Sequence, residues 1–142
     1  MLALLLLLSA ATAALAVWLW VKRDRKYQSS ESVAAAYDAW TDDRLLERLW
    51  GDHVHLGHYG NPTRHHDFRE AKAAFVHELV RWSGLDQLPV GSRVLDVGCG
   101  IGGSARILAR DYNLDVVGIS ISPAQITRAT ELTTPGLSCR FE

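Results

Sequence analysis

Cysteine is scarce in this chain: Cys99 and Cys139 are the only two among 142 residues. That is too few for a disulfide framework, and a small packing side chain is the ordinary role of each. A charge excess of one sign is missing as well. Fifteen Lys+Arg against 16 Asp+Glu leave a net charge of -1, so the basic face of an electrostatic nucleic-acid binder is absent and no nucleic-acid partner is expected. Met1-Leu2-Ala3 carries no basic side chain ahead of the apolar run that follows, which argues against a cleaved signal peptide, whose charge precedes its apolar core.

What is present begins with that run. Leu2 to Val21 is interrupted only by Ser9 and Thr12, and as a helix it would span roughly 30 Å, the hydrocarbon thickness of a bilayer. Trp18 and Trp20 lie at its end, where indoles favour the interface, and Lys22, Arg23, Arg25 and Lys26 follow at once. Residues 1–26 therefore read as a transmembrane signal anchor with a cytoplasmic basic flank, the rest of the chain lying on the cytoplasmic side of a membrane.

The most informative stretch is Val94-Leu95-Asp96-Val97-Gly98-Cys99-Gly100-Ile101-Gly102-Gly103. It reads as a buried parallel strand over Arg93–Val97, a glycine turn, and a helix from Ser104 to Arg110 whose free N–H groups face whatever occupies the turn. Gly98, Gly100 and Gly103 satisfy the dinucleotide spacing G-x-G-x-x-G. Asp96 with Gly98, Gly100 and Gly102 also satisfies D-x-G-x-G-x-G, and here the chain resembles the class I S-adenosylmethionine (SAM) methyltransferases, in which the acid suits the cationic methionine portion. Asp96 tips the balance to SAM, and Cys99 reads as a small packing residue of the same turn.

Leu114–Ile119 is a second buried strand one helix away, which makes a βαβ unit. Its end holds Ser120 where a ribose-binding Asp or Glu is often found. Ser120 with Arg128 downstream would also suit a 2′-phosphate, which keeps an NADP-binding oxidoreductase as the runner-up. Gly118-Ile119-Ser120-Ile121-Ser122-Pro123-Ala124-Gln125 instead resembles methyltransferases that use a hydroxyl residue and a glutamine at this place. Gln125 is also the third residue of a capping box with Ser122 as N-cap and Pro123 at the first helical position, and the two roles are compatible. The expected cofactor set is Asp96, Gly98, Cys99, Gly100, Gly102, Ser120, Ile121 and Gln125.

Residues 27–91 read as a linker and a helical lid. Helical spacing runs through Ser32 to Trp50 with a break near Thr41-Asp42, and Tyr37 and Trp40 read as core. A further helix over Arg64 to Trp82 is expected to turn Phe68, Ala71, Phe75, Val76, Leu79 and Val80 inward. Between them lies Trp50-Gly51-Asp52-His53-Val54-His55-Leu56-Gly57-His58-Tyr59-Gly60. H-x-H can supply two metal ligands, but no further ligand set accompanies it. The stretch reads better as an active-site lid in which Asp52, His53, His55 or His58 serves as an acid–base group.

Taken together, the Trp-Gly-Asp-His stretch, the glycine turn and Gly118–Pro123 resemble the tocopherol and plastoquinone methyltransferases, most of all the cyanobacterial branch acting on 2-methyl-6-phytyl-1,4-benzoquinol. The resemblance implies an α/β, Rossmann-like parallel sheet over 92–142, SAM as cofactor, and methyl transfer to a ring carbon of a prenylated benzoquinol. It implies in addition a cyanobacterial-type plasma or thylakoid membrane as the setting. γ-Tocopherol O-methyltransferases share both motifs. Some cyclopropane-forming lipid methyltransferases share the Gly-Ile-Ser-Ile-Ser run but not the Trp-Gly-Asp-His one. A doubly wound domain ordinarily needs about 200 residues or more, so the chain is expected to be an N-terminal part, truncated after its second βα unit and inactive or poorly folded alone.

Overall fold

A computed structural model of the chain describes residues 11–19, 29–64 and 67–142. The expected anchor over 1–26 falls for the greater part outside the described residues. Residues 11–19 are helical and exposed, and no helix among the described residues is long and apolar enough to cross a membrane.

Helix α1 (Ser30–Asp42) starts from a capping box in which Ser29 and Ser32 exchange side-chain and backbone bonds. It ends where Arg44 takes a left-handed conformation, φ 53°, and Asp43 accepts the N–H of Leu45. Helix α2 (Leu45–Trp50) then runs to Gly51. The break thus falls just after the expected one. A loop leads to helix α3 (Phe68–Ser83), which begins four residues beyond Arg64 because Asp67 caps it, accepting from Arg69 N at 2.6 Å and Glu70 N at 3.3 Å. Ala71, Val76 and Val80 are buried as expected, whereas Phe68 and Leu79 are exposed.

After a 3₁₀ turn at Leu85–Gln87 come β1 (Arg93–Val97), α4 (Gly103–Tyr112), β2 (Asp115–Ile119), α5 (Pro123–Glu131) and β3 (Cys139–Phe141). The three strands form one parallel sheet in the order β1-β2-β3, with Val94 opposite Val116 and Val116 opposite Cys139. This is the α/β parallel arrangement expected. The core gathers Val80 of α3, Ala105, Leu108 and Ala109 of α4, then Leu114 and Val116. Each buried Leu or Val there contributes about 1.5–3 kcal/mol.

β1 is not a buried strand: Leu95 is 58 % and Val97 73 % exposed. It lies at the sheet edge and α4 packs on the other face, so only Val94 is packed against the core. β2, flanked on both edges, buries Val116 and Gly118.

Candidate active site

The glycine turn joins β1 to α4 and curls back on β2. Gly98 N and Cys99 N both donate to Ile119 O, at 2.9 and 3.0 Å. A Cβ built on Gly98 or Gly100 meets nothing within 4 Å, and both residues line a cavity of about 460 Å³. Gly102 faces elsewhere: its Cβ would lie 2.6 Å from the Phe141 ring. Of the expected cofactor set, Asp96, Gly98, Cys99, Gly100, Ser120, Ile121 and Gln125 line the cavity, while Gly102 packs.

Asp96 sits between the turn and the histidine loop. Its Oδ2 is buried and, among the described residues, has no hydrogen-bond partner. Burial raises its pKa above the usual carboxylate range, and charge on His55 acts the other way. A buried acceptor without a donor is costly alone and suits a ligand that brings N–H groups, most of all a cation. Cys99 is the opposite case, since burial first and the Asp96 charge second push its thiol up to about 11. It is an unreactive packing group.

At the end of β2, Ser120 Oγ donates to Gln125 Oε1 at 2.8 Å. Ser122 caps α5 as expected, accepting from Gln125 N at 3.2 Å. The other half of the box does not form, because the Gln125 side chain turns to Ser120 and the cavity instead. Arg128 is not offered to a phosphate. Its guanidinium holds Glu47 through two bonds of 2.6 and 2.8 Å and Glu131 through a third. The runner-up NADP reading loses its cation.

The opposite wall comes from the N-terminal segment. Tyr37 and Trp40 form an edge-on pair with ring centres 5.5 Å apart and line the cavity instead of a core. The loop after α2 brings Asp52, His53 and His55 to the same cavity but not His58, which is exposed and lies 3.8 Å from Glu78. Asp52 is engaged by Arg106 at 2.8 Å, and Arg106 in turn donates to Ile101 O at 2.7 Å. Lys72, 4 % exposed, donates to the carbonyls of Trp50 and His53 and holds the loop on α3.

The two cavity histidines form a dyad. His55 Nδ1 lies 2.8 Å from Leu56 O; a carbonyl only accepts, so this nitrogen carries the proton. In neutral His55, Nε2 is then an acceptor, and His53 Nδ1, 3.2 Å away, donates to it. His53 Nε2 keeps the dyad's free lone pair. Burial, followed by the charge on His55, pushes the His53 pKa down to about 4, so it is neutral at pH 7. No group of His, Cys, Asp or Glu among the described residues could hold a metal ion.

Sequence reasoning did not single out Asp38, Glu47, Ser104 or Arg106. Glu47 and Ser104 line the cavity, Asp38 and Arg106 brace it, and the side-chain partners that tie Asp38 to Ser122, Glu47 to Arg128 and Arg106 to Asp52 lie more than fifty residues away. Only Ser104, at the start of α4, stood within a recognisable motif.

The family model of mycolic acid cyclopropane synthetase matches residues 25–135. The 2-methyl-6-phytyl-1,4-hydroquinone methyltransferase of Synechocystis sp. is 57 % identical over 134 residues, 94 % of this chain and 42 % of that protein. The chloroplastic tocopherol O-methyltransferase of Arabidopsis thaliana is 37 % identical over 95 residues, 62 % of this chain and 27 % of that one. Among solved structures, the mycolic acid cyclopropane synthase CmaA1, in complex with SAH (S-adenosylhomocysteine) and CTAB, superposes with a TM-score of 0.62 at 25 % identity. The match covers 84 % of this chain and 41 % of that one. The chain thus spans less than half the length of each of these three relatives.

Proposed function

Because the chain belongs to the mycolic acid cyclopropane synthetase family, we propose that it forms the cofactor-binding part of a SAM-dependent methyltransferase acting on a ring carbon of a prenylated benzoquinol. The observation that carries this reading is the pairing, in one cavity, of Asp96 Oδ2, which has no partner among the described residues, with the open faces of Gly98 and Gly100. The carboxylate would accept N–H bonds from the ammonium of the cofactor's methionine portion. Ser120 and Gln125 would take the ribose hydroxyls, and Gly98 and Gly100 leave room for close approach. When bound, SAM supplies an electrophilic methyl group.

The chain's own residues then prepare the acceptor. A phenol ring becomes a carbon nucleophile on losing its O–H proton, and His53 Nε2 would receive that proton, its Nδ1–H remaining on His55. From there the Nδ1 proton would pass to His55 Nε2, which moves the charge off the ring whose burial disfavours it. Tyr37 and Trp40 line the far side of the cavity and would pack against a bound acceptor, which favours near-attack placement of donor and acceptor. Greater identity to the hydroquinone methyltransferase than to the tocopherol O-methyltransferase favours carbon over oxygen as acceptor.

A prenylated acceptor resides in a bilayer, and the apolar run Leu2–Val21 with its basic flank would tether the catalytic part on the cytoplasmic side, raising its effective concentration there. Carbonate-resistant membrane fractionation of the full-length protein, lost on deletion of residues 1–26, checks the tether.

The test of the reaction is transfer of labelled methyl from SAM to 2-methyl-6-phytyl-1,4-benzoquinol in detergent by the full-length protein. Label on a ring carbon, lost in Asp96→Ala, is expected. Bound SAH with no transfer to this quinol would overturn the acceptor while keeping the cofactor site.

A further inference from the structure

Helix α1 meets the cofactor end of the sheet through one side chain that no motif marks. Asp38 Oδ1 accepts from Ser122 Oγ at 2.5 Å and from Ala124 N at 3.1 Å. Ser122 is fully buried, 0 % exposed. A hydroxyl has one proton to give, and here it goes to Asp38, which fixes the direction of the Ser122 lone pairs toward Gln125 N. Ser122 N in turn donates to Ser120 Oγ at 3.2 Å, and Ser120 gives its own proton to Gln125 Oε1 at 2.8 Å. The bonds form two runs that meet at Ser122, one from Gln125 N through Ser122 Oγ to Asp38 and one from Ser122 N through Ser120 Oγ to Gln125 Oε1, so the anchor on Asp38 fixes the residue from which Ser120 is oriented.

That ordering leaves the Gln125 amide N–H groups as what the pair can offer to an acceptor oxygen, with Ser120 Oγ held beside them. The same helix brings Val33, Tyr37 and Trp40 to the cavity. An acid at the first turn of α5 is also favoured by the helix dipole, although it is supplied from eighty-odd residues away. From this we infer that Asp38 is a positioning residue: it latches α1 onto the β2–α5 junction and thereby sets the Ser120–Gln125 pair for a ligand's vicinal hydroxyls. The inference rests on the reading that Ser120 and Gln125 bind the cofactor ribose.

The test uses the full-length protein and two probes, SAH and its 2′,3′-dideoxy counterpart, titrated calorimetrically. Wild type is expected to prefer SAH by about tenfold or more, the value of one or two hydrogen bonds. Asp38→Ala is expected to bring that preference close to unity, and Asp38→Asn, which keeps one acceptor oxygen, to restore part of it. Ser122→Ala cuts the same link at its other end and serves the same purpose should Asp38→Ala not fold.

If Asp38→Ala weakens both probes equally and the wild-type preference survives, Asp38 is a structural cap and the proposal fails. If wild type itself shows no preference, the ribose role of Ser120 and Gln125 fails, and the positioning role fails with it. Loss of SAH binding by wild type would overturn the cofactor reading as a whole.

Discussion

The two walls of the cavity are built in different ways. The β1–α4–β2–α5 wall is held by a parallel ladder and by a core that buries Ala105, Leu108, Leu114 and Val116. The facing wall, α1, α2 and the loop to His58, has no buried residue in either helix. Its place depends on long-range polar ties: Asp38 to Ser122, Glu47 to Arg128, Asp52 to Arg106, and Lys72 to the Trp50 and His53 carbonyls. One wall is a foundation and the other a cover fastened at a few points. A cover held by polar ties can open without unfolding what lies beneath it.

Breaking the foundation should have the largest effect. Gly102 has φ +80° and its Cβ would meet the Phe141 ring at 2.6 Å. Gly102→Ala is therefore expected to cost about 2–4 kcal/mol from left-handed strain and overpacking. Denaturant melts of the full-length protein would show it as loss of global stability.

Asp96→Asn separates stability from function. Removing a buried charge that lacks a partner is expected to leave the melting temperature unchanged or raise it, while SAH affinity falls about 10–100-fold, the value of a charge-assisted bond. A parallel loss of stability would mean that Asp96 is structural.

Lys72→Met loosens the cover alone. The Trp50 and His53 carbonyls lose their donor, but a buried ammonium is relieved, so global stability should shift by less than about 1 kcal/mol. Amide exchange over residues 50–55 should speed about tenfold, the signature of local opening.

The smallest effect is a pH dependence. The His53 pKa lies near 4 in the folded state and at 6.5 without the fold. Above 6.5 both states are neutral. Between 6.5 and about 4 the unfolded chain takes a proton that the folded one refuses, so stability falls as the pH falls. His53→Gln should flatten that slope when denaturant midpoints at about pH 7.5 and about pH 5 are compared, a range above the window in which Glu47, paired with Arg128, loses its own contribution.

The foundation was legible in the sequence and the cover much less so. Strand Arg93–Val97, the turn and the Ser122 cap follow from local rules, because backbone conformation and neighbouring residues decide them. Asp38 is a helix residue whose partners lie 84 and 86 positions downstream, and nothing near it in the chain announces them. Tyr37 and Trp40 show the limit of periodicity, since helical spacing says that they share a face but not whether it meets a core or a cavity.

The contact at Gly103 carries a consequence for inheritance. A methyl group there would lie 2.5 Å from the Asp52 carbonyl oxygen and 2.8 Å from the His53 ring. Residue 103 and the histidine loop are thus one unit although half a hundred positions separate them. In a chimera joining the cover of one homologue to the foundation of another, any crossover between these positions should yield a seated loop only when the incoming helix begins on glycine.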